Sequence, residues 1–156
     1  MKVRGSLSQA EITTFLTEST IPVRLACQTP SGHLWMVSLW YRHRTTEAGE
    51  SDSWALQCAT GATADVVTYL REEPTVAFEI STNEPPYAGV RGRGSVSIEP
   101  DDDKETLRDL MERYLGGTDS KLAQNLLREG REEVTLTIDP VVVYGWDYAD
   151  RMADDE

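Results

Sequence analysis

Apolar residues along this chain recur at two spacings, and the changes of spacing mark its elements. Ile12, Phe15 and Leu16 fall on one side of a 3.6-residue repeat. Ser8 and Glu11 ahead of them form a Ser-x-x-Glu capping box, and Leu7 and Ile12 stand where a hydrophobic staple would close. A helix is expected there, ended by Pro22. "VRLACQ" (23–28) reads as a strand. "TPSG" follows, with Pro30 second and Gly32 fourth, which is the chemistry of a type I turn. The next strand, "HLWMVSLWYRH" (33–43), is apolar on both sides. Trp35, Val37, Leu39 and Tyr41 alternate onto one face, and Leu34, Met36 and Trp40 onto the other. Such a strand needs cover on both faces. One face can fill a barrel; the other asks for a second layer, a cofactor or a partner chain.

Polar residues 44–52 read as a hairpin loop, and "SWALQCAT" (53–60) as the returning strand. A Thr-Gly corner then opens a short helix, with Thr63 as the expected N-cap and Val66, Val67 and Leu70 on the apolar side. Glu73-Pro74 ends it, and "TVAFEIS" (75–81) is the next strand. Strand 90–100, "VRGRGSVSIEP", carries Gly92 and Gly94, which inside a strand mark a bulge, a bend or the close approach of a ligand. Pro100 and three aspartates open a helix whose Leu107, Leu110, Met111, Tyr114 and Leu115 form one stripe, capped by Gly116-Gly117. A second short helix runs from Ser120 to Glu129. Two strands, "EEVTLTIDP" and "VVVYGWDY", split by Asp139-Pro140, close the chain. Short antiparallel strands with helices inserted between them predict a mainly β fold, a small closed or split barrel with peripheral helices. Nothing divides the chain, so 1–156 reads as one domain, with its core over 18–148 and an acidic tail over 149–156.

Composition narrows the function classes. A formal net charge of −12 would repel nucleic acid, so none is an expected partner. The acidic runs "EPDDDKE" and "ADDE" read as solvated surface. No run of 18 apolar residues spans a membrane, and the N-terminus lacks the apolar stretch of a signal peptide; a cytoplasmic protein is expected. Cys27 and Cys58 sit in apolar runs and read as buried free thiols, with a disulfide left open. The Cys and His spacings pre-arrange no metal site. GxSxG is absent, and "GVRGRG" lies on a strand with no helix after it, so it fails as a dinucleotide loop. His33 and His43 have no sequence-evident partner for acid–base work, and no catalytic residue is assigned.

The corner in "CATGATADVV" is the most suggestive local feature. A helix start offers open N–H groups to an anion. Yet Asp65 occupies its first turn, where a carboxylate gains roughly 0.3–1 kcal/mol from the helix dipole and repels a phosphate.

Taken together, "VRLACQTPSGHLWMVSLWY", "WALQCATGATADVVTYLREEPTVAFEI", "PPYAGVRGRGSVSI" and "VVVYGWDY" resemble, in order and spacing, the pyridoxamine 5′-phosphate oxidase-like, FMN-binding split-barrel family, over roughly residues 18 to 148. The resemblance implies a six-stranded antiparallel barrel, a homodimer, FMN at the interface of two protomers, and an oxidoreductase acting on a small substrate. It implies cofactor contacts, mostly through backbone, at Ser38, Leu39, Trp40, Thr60, Gly61 and Thr63. Trp40 and Tyr41 would wall the ring, and Trp146 would reach over from the partner chain. Arg91 and Arg93, with Arg24 behind them, are the candidate cations for the phosphate.

The chain also departs from the family pattern. Trp35 and Trp40 stand where the family places Arg and Lys on the second strand. Ala64, Asp65 and Val66 stand where it places Ser, Arg and Lys in the corner helix. Only Arg151 remains of a basic C-terminal cluster, which argues against pyridoxamine phosphate oxidase activity itself. Two alternatives stay open. One is an F420-dependent reductase of the same superfamily, drawing on Arg24, Arg42, Arg44 and Arg91. The other is a cofactor-free dimeric binding or structural module.

Overall fold

The structure is a computed structural model and describes residues 1–45 and 54–153. Its elements are β1 (Lys2–Gly5), α1 (Gln9–Glu18), β2 (Val23–Gln28), β3 (Leu34–Leu39), β4 (Arg42–Thr45), β5 (Trp54–Gly61), α2 (Asp65–Glu72), β6 (Thr75–Ser81), β7 (Ala88–Pro100), α3 (Glu105–Leu115), α4 (Lys121–Leu127), β8 (Glu133–Asp147) and α5 (Ala149–Met152). The strands form one sheet in the order β3-β2-β6-β7-β8-β5-β4, antiparallel throughout, with β1 added parallel to β8. The protein is mainly β with peripheral helices, as the two periodicities predict, but the sheet has eight strands rather than six. Of the expected loop 44–52, Arg44 and Thr45 belong to β4 and the rest lies outside the described residues, as does the end of the acidic tail.

The extra strands have physical causes. The expected strand 33–43 breaks at Trp40 and Tyr41. β3 pairs with β2 at one end of the sheet and β4 pairs with β5 at the other. Two residues therefore carry the chain from one edge to the other, which curls the sheet into a barrel with a split between its edge strands. Tyr41, expected at the wall of a ring site, is instead locked in the core. It is fully buried, its hydroxyl donates to the Leu16 carbonyl at 2.8 Å, and its amide donates to the Tyr114 hydroxyl at 3.3 Å.

The two expected closing strands are one strand, β8, and Asp139-Pro140 lies inside it. Proline is tolerated because the pairing slips there: Gly94 faces Pro140 while Arg93 faces Val142, a β-bulge. A Cβ on Gly94 would stand 2.1 Å from the Asp139 carbonyl oxygen. Gly94 thus serves the bulge. β1 has no apolar alternation to announce it; it pairs with the second half of β8, as β5 pairs with the first.

Leu25, Leu56, Ile80, Leu136, Ile138 and Val143 fill the barrel. α1 has the expected capping box: Ser8 N donates to Glu11 Oε2 at 2.8 Å and Glu11 N donates to Ser8 Oγ at 3.3 Å. Its Ile12 is pressed onto β8, where a Cβ on Gly145 would lie 2.7 Å away. α2 buries Val66, Val67 and Leu70, but its N-cap is Ala64 rather than Thr63, and no side chain caps it. The Gly32 amide donates to the Thr29 carbonyl at 2.8 Å, closing the expected turn. α3 and α4 form a small second core: Leu107, Met111 and Ala123, with Trp40, Ala59, Leu126 and Leu127 against it. Cys27 and Cys58 are buried free thiols, and burial pushes the Cys58 pKa up to about 12. No helix among the described residues is long and apolar enough to cross a membrane.

This arrangement leaves one flank bare. On β3 the expected cover is not supplied by the chain itself: Leu34 is 80% exposed and Met36 63%. Ala77, Arg91 and Arg93, which follow them across the same outer face, are exposed as well.

Candidate functional site

At the corner, β5 ends on Gly61, which faces Glu133 of β8. Ala62 N donates to the Glu132 carbonyl at 2.9 Å and Ala64 N to the Gly61 carbonyl at 3.0 Å. The amides of Asp65 and Val66 make no hydrogen bond among the described residues, as the first turn of a helix dictates. Asp65 and Thr63 are exposed; Thr60 and Gly61 are partly covered. Arg131 approaches Gly61 itself, and Arg71 of α2 lines the cavity beside Ala62. Arg131 Nη2 would lie 3.4 Å from a Cβ on Gly61. Its Nε donates to Glu133 Oε1 at 2.6 Å, and the Glu133 side chain is 1% exposed. Sequence reasoning missed Arg131, because only the β5–β8 register brings it to Gly61 and no local pattern encodes that register.

The bare flank is the second locus. By register, Ser38, Arg24, Glu79, Arg91 and Tyr144 stand abreast across β3, β2, β6, β7 and β8. The next row holds Met36, Ala26, Ala77, Arg93 and Val142. Between the rows lies a groove of about 340 Å³, lined by Arg24, Met36, Glu79, Arg91, Arg93 and Tyr144 among others. The Arg91 guanidinium lies 5.1 Å from the Trp146 ring centroid and 6.0 Å from that of Tyr144. Arg24 Nη2 donates to Asn83 Oδ1 at 3.1 Å, and Ser81 Oγ donates to Glu79 Oε1 at 2.8 Å.

Leu39 and Trp40 sit at the split between these loci. The Trp40 ring stacks on Tyr114 at 5.4 Å and 11°. Trp35 meets Tyr69 of α2 edge-on at 6.0 Å. Arg42, expected in a basic groove, is already engaged. It pairs with Asp109 and Glu105 and donates to Gln57 Oε1 at 3.0 Å and Thr106 Oγ1 at 3.2 Å. His43 is half-buried against Trp54, and its Nε2 finds no partner among the described residues. Burial, and then the charge of Arg113, hold its pKa below the usual 6.5. His33 is exposed in a turn, its Nδ1 3.1 Å from Ser31 Oγ.

The expected contact residues therefore fall into groups. Ser38, Arg91 and Trp146 share the bare flank; Thr60, Gly61 and Thr63 form the corner; Leu39 and Trp40 mark the split. Thr60 faces Val134, which faces Pro100. The corner and Arg91 thus map to points about nine residues apart on β7, roughly 30 Å of strand. One chain does not gather all of them around one ring.

No protein-family model and no curated protein matches the sequence. Solved structures do. A conserved hypothetical protein of Mycobacterium tuberculosis superposes with a TM-score of 0.73 at 22% identity, over 100% of this chain and 96% of that one. An F420 reductase superposes with a TM-score of 0.62 at 22% identity, over 82% of this chain and 92% of the other. A pyridoxamine 5′-phosphate oxidase-related, FMN-binding protein of Nostoc punctiforme gives 0.58 at 16% identity, over 92% and 86%. The sheet order, the break that closes it and these superpositions agree: the chain has the split-barrel fold of the pyridoxamine 5′-phosphate oxidase-like, FMN-binding proteins.

Proposed function

We propose that two copies of this chain hold a flavin or deazaflavin in the crevice between them and act as an oxidoreductase on a small substrate. The observation that carries this reading is the bare flank. It is apolar at Leu34 and Met36, cationic at Arg24, Arg91 and Arg93, and bordered by the Trp146 ring. A partner chain would cover the apolar residues, and a ring-bearing anion would suit the rest. The ring, when bound, accepts and returns a hydride. The protein's part is to bind and orient it. β3 is an edge strand, so every second amide and carbonyl along it faces away from β2 without a strand partner, up to Ser38 and Leu39 at its end. Those groups suit the polar rim of such a ring. Thr60, Gly61 and Thr63 add small residues and hydroxyls where the ligand passes the corner, and Trp146 of the second chain supplies an aromatic face.

Titration of the purified protein with FMN and with F420 tests the reading. Tight binding at 100 times Kd stabilises a native state by about 2.7 kcal/mol, a readily measured rise in Tm. Bound FMN also colours the protein, with absorption near ~450 nm. If neither ligand raises Tm at saturation, or the protein sediments as a monomer, the proposal fails.

A further inference from the structure

We infer that Arg24, Arg91 and Arg93 are the anion-recognition element of this protein, taking a tail that bears two or more negative charges. The inference rests on the ligand class proposed above and goes further, because it moves the charge recognition off the α2 corner and onto the bare flank.

At the corner, carboxylates outnumber cations: the cavity beside Ala62 is lined by four basic side chains, Arg71, Lys104, Arg108 and Arg131, against six acidic ones. Arg131 is tied to the buried Glu133 at 2.6 Å, Asp65 stands exposed in the first turn of α2, and Trp35 packs against Tyr69 beside it. A phosphate arriving there would meet a net negative surface, with the Arg131 guanidinium already paired to Glu133.

The flank is the reverse. Arg24 and Arg91 stand in one row with Glu79 between them, and Arg93 stands in the next. Strand spacing puts Arg24 and Arg91 about 10 Å apart at their backbones, and Arg93 about 7 Å along β7 from Arg91. None of the three makes an ion pair among the described residues. The intervening Glu79 carboxylate is held by Ser81, so the groove carries a surplus of positive charge in a chain whose net charge is −12. Its floor is built from small residues, Ala26, Ala77 and Gly92, which is why a volume of about 340 Å³ remains open, within the range of small-molecule sites. Arg91 is pre-positioned. With its face on Trp146 and Tyr144, its N–H edges stay free to fork onto a phosphate or carboxylate. The chemistry that fits is a planar ring joined to a polyanionic tail, phosphate or oligo-carboxylate.

Three probes separate the charge from the ring: riboflavin, which lacks the phosphate, FMN, and F420. The expected result at low salt is that the protein binds FMN at least tenfold tighter than riboflavin, with the advantage shrinking as salt is added. Arg91→Gln/Arg93→Gln should erase that advantage while leaving riboflavin affinity and the sedimenting mass unchanged. A larger loss for F420 than for FMN would assign the groove to a tail with several charges. Two results overturn the inference. Either the double variant binds FMN as the parent does, or it loses riboflavin binding and self-association together, which gives the arginines to a protein contact. If the parent binds no ring ligand at all, the oxidoreductase reading falls, and inorganic pyrophosphate decides this one. A Tm rise in the parent that is absent in the double variant supports the groove; no rise in the parent overturns it.

Discussion

Arg113 shows how far a single residue reaches. α1 has no basic residue in its last turn, so its exposed carbonyls lack a local cation. Arg113 of α3 supplies one, donating to the carbonyls of Leu16 at 2.7 Å and Thr17 at 2.8 Å, and to that of Ser19, with its charge 5.1 Å from the Tyr41 ring. Charge-assisted bonds at a helix C-terminus are worth more than neutral ones, so Arg113→Met should lower stability by about 2–3 kcal/mol in urea unfolding. His43 makes a prediction about pH. Its folded pKa lies below 6.5, through burial first and the Arg113 charge second, so the unfolded chain takes up the proton more readily. The neutral form's stability is whole above pH 6.5 and is lost as pH falls from there through the folded pKa. His43→Phe should flatten that part of the curve; urea midpoints that shift in parallel between pH 7.5 and 5.5 would count against it.

At the scale of elements, the signals that were legible are those made by near neighbours. The capping box of α1, the turn at Thr29–Gly32 and most of the stripe of α3 all rest on residues one to eight positions apart, and all formed, with Leu115 at the end of the stripe left exposed. The break at Trp40-Tyr41 and the fusion of β8 were not legible, because each depends on which strand lies alongside. Gly94 is the test case. A Cβ there would press on the backbone of Asp139 at 2.1 Å, which cannot swing aside, so Gly94→Ala should cost at least about 1–3 kcal/mol and disturb the β7–β8 bulge. Gly32 has φ +82 but nothing within 4 Å of a Cβ, so Gly32→Ala should cost only about 1 kcal/mol, from backbone strain. Thermal unfolding of the two variants side by side reads the contrast.

For the whole molecule, the distribution of cover is what matters. Helices and the second core occupy the corner end and the β5 flank, while the β3-β2-β6-β7 flank presents apolar and cationic side chains to solvent. A partner seated there would bury Leu34 and Met36. Met36→Glu should therefore give monomers in sedimentation while leaving the unfolding midpoint of the single chain nearly unchanged, since Met36 is 63% exposed within one chain. An unaltered mass would remove this flank from the assembly. The same arrangement explains what the sequence reading of the site could reach. Ser38, Thr60 and Gly61 were named only through the family resemblance, and Arg91 through its place beside the strand glycines. Arg131 at the corner and the engagement of Arg42 by α3 were not, because both follow from strand register and helix docking.

By itself, the sequence determined the cores of α1 to α4 and of most strands, though not β1, β4 or α5, and that the chain would be mainly β. Those properties follow from side chains a few positions apart, where periodicity and capping act. Only the tertiary structure decided which strands are neighbours, where the chain crosses the split, and that three arginines come to share one groove while Arg131 pairs with Glu133 at the corner. Pairing between residues tens of positions apart is selected by the packing of the whole core, and it leaves no periodic mark along the chain.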